Sequence, residues 1–167
     1  MPRHTSSWFV THWIKNKTNS NNIATNRKAF YEYDILDKYE AGLVLKGSEV
    51  KSIRENKVTI KESYIRVKDN EIFIIGMNIS KYSHEGYSTH DPGREKKLLV
   101  HKYEIKKIKQ QVEEKGKTII PLNLYYKNGK VKIQFAIATG RKLRDKRNYK
   151  KEQDIDREID RSMKGKI

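Results

Sequence analysis

Residues Thr118–Thr139 read TIIPLNLYYKNGKVKIQFAIAT, and this stretch decides the fold. Asn128-Gly129 at its centre is the strongest short hairpin signal, because both central residues of a type I′ turn need positive φ. After the turn Val131, Ile133, Phe135 and Ile137 alternate with Lys130, Lys132, Gln134 and Ala136. Before it Ile120, Leu122 and Leu124 keep the same two-residue period. Period-two alternation puts one set of side chains on each face of a strand, so one face is predicted to be core and the other basic.

The flanking sequence supplies more short strands. AGLVLKG (Ala41–Gly47) and SYIRVK (Ser63–Lys68) are β-branched runs, and EIFIIGMNISKY (Glu71–Tyr82) is apolar on both faces over its central part. That pattern predicts a strand covered on each side, as in a barrel wall. Two short helices interrupt the strands. GSEVKSIREN (Gly47–Asn56) offers Ser48 as N-cap, Val50 and Ile53 on one face, and Asn56 where the chain turns through the left-handed region. HKYEIKKIKQQVEEKG (His101–Gly116) has Tyr103, Ile105, Ile108 and Val112 near helical spacing, with Gly116 as the stop. The expected fold is mainly β: a small closed antiparallel barrel of the oligonucleotide-binding (OB) type, with two to three short flanking helices. A β-sandwich is the second choice.

Hydrophobic and charged residues each make up 35% of the 167-residue chain, and mean hydropathy is −0.92, so burial must be concentrated in one core. Lys and Arg total 37 against 21 acids, a formal charge of +16. Such an excess is relieved by a polyanion, nucleic acid first. No stretch approaches the roughly 20 apolar residues that span a bilayer, and no basic helix has a broad apolar face, so a membrane partner is not expected. The absence of cysteine excludes disulfides, thiol catalysis and thiolate metal sites.

Residues 1–25 are expected to be a disordered extension, for there is no acid before Glu32 and NKTNSNN is polar low complexity. MPRHTSSWFVTHWIK could be an Arg-poor transit peptide or an interaction arm, unless translation begins nearer Ile14. Residues 26–139 are assigned to the barrel and 140–167 to a basic tail. In GRKLRDKRNYKKEQ (Gly140–Gln153) the bases Arg141, Lys142, Arg144, Lys146, Arg147, Lys150 and Lys151 face Asp145 alone up to Lys151. Further on, Ile155, Ile159 and Met163 form a stripe too narrow to pack on a domain. Pairs such as Asp154 with Arg157 are worth only about 0.2–0.5 kcal/mol each. The tail is therefore expected to be disordered when free and helical on a partner.

Catalytic patterns are lacking. His84, His90 and Asp91 lie near one another in HEGYSTHDPG, but a Gly- and Pro-punctuated loop offers no helical ligand face, and no HExxH, Walker, GxGxxG or GxSxG pattern occurs. No metal, cofactor or enzymatic activity is expected. Lys and Arg are instead interleaved with Tyr31, Tyr33, Tyr39, Tyr64, Tyr82, Tyr87, Tyr125 and Tyr126, charge for phosphates and rings for unpaired bases. Several of these rings would serve equally as barrel lining.

Taken in order, NRKAFYEY (Asn26–Tyr33), YEAGLVLKGSEVKSIR (Tyr39–Arg54), HDPGREKKLLVHKYEI (His90–Ile105), GKTIIPLNLYYKNGKVKI (Gly116–Ile133) and GRKLRDKR (Gly140–Arg147) resemble the SsrA-binding protein (SmpB) family. The resemblance implies an OB-type barrel that grips the tRNA-like domain of transfer-messenger RNA and delivers it to stalled ribosomes for trans-translation. It implies RNA-binding positions at Asn26, Glu40, Leu99 and Lys132. It further implies that the tail occupies the empty mRNA channel, with Gly140, Asp145, Lys146 and Arg147 matching the motif at the 16S rRNA decoding centre. Arg144 stands where the family usually carries His or Tyr, and a guanidinium plane can take over stacking on a base. Near the end of the SIR helix Glu55-Asn56 replaces a frequent Gly, and Asn tolerates the left-handed conformation. The implied protein is a monomer when free and works in a bacterial cytoplasm, or in an organelle if the N-terminal segment is a transit peptide. A general OB-fold RNA chaperone or ribosome-associated RNA-binding protein is the alternative.

Overall fold

The computed structural model describes residues 21–83, 90–114 and 116–164, with the side chains of residues 143 and 144 outside that description. In chain order the elements are β1 (Asn22–Thr25), α1 (Arg27–Glu32), β2 (Tyr33–Leu43), α2 (Gly47–Arg54), β3 (Val58–Thr59), β4 (Tyr64–Lys68), β5 (Glu71–Ile75), β6 (Asn78–Ile79), β7 (Lys96–Leu99), α3 (Lys102–Val112), β8 (Lys117–Lys127), β9 (Lys130–Gly140) and α4 (Leu143–Lys164). The larger sheet runs β1-β8-β4-β5-β7-β2-β9, and β9 also pairs with β8, so the wall closes on itself as an antiparallel barrel. β3 and β6 form a separate two-stranded sheet. This is the mainly β, OB-like architecture expected.

The β8–β9 hairpin turns where predicted, with Asn128 at φ 52° and Gly129 at φ 71°. Its faces are not those the simple alternation gives. Pairing is regular from Lys117↔Thr139 to Pro121↔Phe135, then shifts so that Asn123 faces Gln134 and Leu124 faces Ile133. Leu122 is the extra residue of a β-bulge, and its insertion reverses the parity of β8. Ile120 and Leu122 therefore do not share a face with Leu124. They join Ala29, Phe30, Ala136 and Ala138 in a small core beneath α1. Leu124, Ile119, Ile133, Phe135 and Ile137 line the main core, where Ile53 of α2 and Ile105 and Ile108 of α3 plug the barrel. The face of β9 expected to be basic is so only from Lys130 to Gln134, because Ala136 and Ala138 are covered.

Other expectations shift for equally local reasons. The Glu71–Tyr82 run is two strands, broken at Gly76, whose φ of 78° suits glycine and whose absent Cβ would lie 3.0 Å from Glu62 O. The break brings Met77 and Ile79 into the same core as Ile72 and Ile74. Residues 22–25, placed in the extension by sequence, form β1, which pairs with β8 through Asn22↔Tyr125 and Ala24↔Leu124. Residues 1–20 of the extension lie outside the described residues, as do His84 and Tyr87. Asn56 adopts φ 57°, as anticipated at the end of α2. Ser48 is not the N-cap: that position is Lys46, whose N–H donates to Glu49 at 2.7 Å. Ser48 Oγ lies 3.0 Å from His90 Nδ1, while His90 Nε2 is 3.0 Å from Ile79 O. The buried imidazole thus ties α2 to β6, a structural use of a ring considered as a ligand.

A buried charged group closes one side of the barrel. Glu49 and Lys96 are both fully buried. Arg94 grips Glu49 with Nε at 3.2 Å and an Nη at 2.8 Å, and Lys96 Nζ donates to Met77 O, Pro92 O and Arg94 O at 3.0, 3.3 and 2.8 Å. Three ammonium protons thus meet three carbonyls. Burial pushes the Glu49 carboxyl up, but the Arg94 and Lys46 hydrogen bonds outweigh it and hold it below its ordinary value. Burial pushes the Lys96 ammonium down, opposed by the Glu49 charge. Lys96→Met should lower unfolding free energy by about 3 kcal/mol, since the buried Met77 carbonyl and the part-buried Pro92 and Arg94 carbonyls lose their donor and Glu49 loses a nearby cation. Urea denaturation tests this, and a loss under about 1 kcal/mol would mean that water replaces the ammonium.

Candidate nucleic-acid interface

The outer barrel surface is set by strand register. Gly42 of β2 faces Leu99 of β7 on one side and Lys132 of β9 on the other. With no side chain between them, Leu99 and Lys132 lie side by side: a Cβ on Gly42 would be 3.4 Å from Leu99 Cδ1 and 3.8 Å from Lys132 Nζ. Glu40, two residues earlier on β2, shares this face, and Tyr125 of β8 faces Lys132. The β8 bulge is what turns Tyr125 outward and Tyr126 toward the core. Three of the four expected RNA-binding positions, Glu40, Leu99 and Lys132, are therefore brought together. Leu99 is 56% exposed, too open for a purely core role.

Glu40 holds its neighbours in place. Its carboxylate accepts a hydrogen bond from the Tyr125 hydroxyl and two from Lys127 Nζ, at 2.9 and 3.1 Å. The Tyr125 bond first, then that of Lys127, holds the Glu40 carboxyl below its ordinary value, with the charges of Lys127 and Lys132 adding to the effect. Burial, then the Glu40 carboxylate, pushes the Tyr125 phenol up. At neutral pH the pair is an anion accepting from a protonated phenol. The result is a ring and the Lys127 ammonium held on a carboxylate, with the Lys132 ammonium near enough to act on it through its charge and an exposed leucine alongside. Such a surface can stack a base, meet phosphates and accept from an amino group or 2′-hydroxyl.

Sequence reasoning missed part of the surface. Tyr103, expected on the apolar face of α3, is 70% exposed and stacks on His101 with ring centroids 5.6 Å apart and planes 15° apart. It stands two residues before Ile105 and five before Ile108, about 200° and about 140° around the helix from them, so it lies off the face they bury. His101 follows Leu99 by two residues in extended chain and continues the same outer surface. Tyr125 and Lys127 were visible only as members of an aromatic and basic hairpin, because their shared partner Glu40 lies on another strand.

Asn26 stands apart from this face. It is buried, caps α1 by accepting from Ala29 N–H at 3.2 Å, and donates from Nδ2 to Pro121 O at 3.1 Å. Its backbone N–H donates to Leu122 O at 2.8 Å, so Asn26 ties down the β8 bulge. The tail positions are on other elements again. Gly140 ends β9 opposite Tyr33, and Asp145, Lys146 and Arg147 lie in the first two turns of α4, with Asp145 and Arg147 exposed. Arg144 is in the same helix, its side chain outside the described residues. Among the described residues no three His, Asp or Glu side chains cluster as metal ligands, and no helix is long and apolar enough to cross a membrane.

Comparison with known proteins bears directly on this arrangement. The family model of the SmpB protein matches residues 23–165. The chain belongs to the SmpB family. It is 51% identical over 146 residues to the SsrA-binding protein of Aquifex aeolicus, covering 87% of this chain and 93% of that one. Its identity to the SsrA-binding protein of Syntrophobacter fumaroxidans is 49% over 142 residues, 85% and 88% of the two chains. A solved structure described as tmRNA–SmpB on a journey to the centre of the bacterial ribosome contains a chain similar in fold, with TM-score 0.60 and 41% identity, covering 71% of this chain and 84% of that chain.

The role assigned to Glu40 can be separated from simple charge repulsion. Glu40→Ala removes an anion from the surface yet releases Tyr125 and Lys127. RNA affinity is expected to fall roughly tenfold, in line with hydrogen bonds to charged groups worth about 1.5–3 kcal/mol. A rise in affinity, measured by filter binding, would show that the carboxylate merely repels phosphate.

Proposed function

We propose that the chain binds the tRNA-like domain of transfer-messenger RNA through its barrel and carries it to stalled ribosomes for trans-translation, acting without catalysis of its own. The observation that carries this reading is the pairing, in a chain of the SmpB family, of one outer face that brings together Glu40, Leu99, Lys132 and Tyr125 with a basic helix that departs from the barrel. The solved SmpB chain similar to this one is described together with tmRNA and the bacterial ribosome, which supports both partners. In this reading Glu40, Leu99 and Lys132 touch RNA, and Asn26 contributes by fixing α1 and the β8 bulge beside them. When free the chain is a monomer, at work in the bacterial cytoplasm, or in an organelle if the N-terminal segment is a transit peptide.

The tail is the second working part. Ile155, Ile159 and Met163 are exposed along α4, and the described hydrogen bonds that bind its outer turns are internal, such as Arg157 to Asp154 at 3.3 Å and Ser162 Oγ to Ile159 O at 2.8 Å. A helix with so little to bury frays in water and is completed by a surface that neutralises it. The mRNA channel, walled by ribosomal RNA, is such a surface, with Gly140, Asp145, Lys146 and Arg147 at the decoding site and Arg144 stacking where the family has a ring. Asp145 in the first turn and Arg161 and Lys164 in the last match the helix dipole and favour the ordered form.

Deleting Gly140–Ile167 tests the division of labour. The truncated barrel is expected to keep its affinity for transfer-messenger RNA while peptide tagging on stalled ribosomes disappears. Loss of RNA binding on truncation would show that barrel and tail are one undivided RNA-binding surface, as in a general RNA chaperone.

A further inference from the structure

β9 and α4 are separated by Arg141 and Lys142 alone, so the direction of the whole tail is set within two residues. Arg141 is held from several sides. Its backbone N–H donates to Glu32 O at 2.8 Å, and its Nε donates to Asp34 Oδ1 at 2.6 Å. Its guanidinium carbon stands 4.1 Å from the centroid of the Tyr149 ring. That ring in turn meets Tyr31 of α1, with centroids 6.4 Å apart and planes inclined at 53°. The Arg141 side chain is largely covered, although the Asp34 carboxylate remains exposed. Farther out, Ile155, Ile159 and Met163 are open to solvent, so the contacts that orient α4 are concentrated at its base.

We propose that Arg141, Asp34, Tyr31 and Tyr149 form a clasp that fixes the angle at which the tail helix leaves the barrel, making Arg141 and Tyr149 positioning residues for the entry of the tail into the ribosome. The inference rests on the reading of the tail as the part that enters the mRNA channel. The chemistry is specific to these side chains. A guanidinium offers its edge to a carboxylate and its face to a ring at once, which an ammonium cannot do. The clasp anchors the first two turns and leaves the distal turns free to order against RNA. A barrel bound to transfer-messenger RNA then presents the tail in one direction, which shortens the search for the channel by removing wrong orientations.

The chain has no cysteine, so Lys68→Cys on the barrel and Lys150→Cys, exposed in the second turn of α4 beside Tyr149, give two unique labelling sites in the full-length protein. Pulsed electron resonance between spin labels there should return one narrow distance distribution. Tyr149→Phe, which keeps the ring face, should preserve it. Tyr149→Ala and Arg141→Lys should lose the single peak, and tagging on stalled ribosomes should fall by about tenfold, the order of one partly desolvated cation–ring contact. Binding of transfer-messenger RNA should be unchanged in all three. A broad distribution in the parent, or a narrow one in Tyr149→Ala, would overturn the clasp. Failure of the parent to bind transfer-messenger RNA would instead overturn the proposed function, and the distance distributions would still decide the clasp.

Discussion

One inserted residue, Leu122, organises much of this molecule. The bulge it creates lets a single hairpin wall two cores: Ile119 and Leu124 point into the barrel, while Ile120 and Leu122 point under α1. The same change of parity turns Tyr125 outward, where Glu40 can hold it, and sends Tyr126 inward. Asn26 accepts the structural duty this creates by donating to the carbonyls of Pro121 and Leu122. Core, helix attachment and candidate RNA surface are thus consequences of one local irregularity. An unbulged strand would keep Leu122 and Leu124 on one face and would place Tyr125 on the opposite side from Lys132.

That irregularity explains why some features were legible in the sequence and others were not. The hairpin turn at Asn128-Gly129 and the left-handed Asn56 are decided by backbone sterics within a few residues, and both stand as read. The bulge is invisible to an alternating pattern, because Ile120, Leu122 and Leu124 look equally regular with or without it. Lys96 is missed for a different reason. In KKLL it resembles a solvated charge, and only the fold reveals three carbonyls converging on its ammonium. Glu49 likewise reads as an exposed helix-start acid until Arg94, far along the chain, closes on it.

The candidate site divides along the same line. Glu40, Leu99 and Lys132 were identified by resemblance, and their adjacency across Gly42 is a matter of register between strands that no local pattern encodes. A carboxylate such as that of Glu40 is unexpected on a surface meant for a polyanion. Its use is to orient a phenol and an ammonium, so a negative charge serves a positive face. Tyr103 shows the opposite failure: grouped with Ile105 and Ile108, it stands two and five residues from them, off their face of α3, and its ring stacks on His101 in solvent.

A charge of +16 ensures attraction to any RNA, and phosphate neutralisation alone gives salt-dependent binding without preference. In the proposed function the outer surface of the barrel adds selectivity to that attraction. Competition binding at near-physiological salt measures this most directly, with labelled transfer-messenger RNA held by the full-length protein and challenged by bulk tRNA or unstructured RNA. Unlabelled transfer-messenger RNA is expected to displace the label at concentrations orders of magnitude below either competitor. Equal displacement by all three RNAs would contradict it and leave the basic charge as the whole explanation of binding.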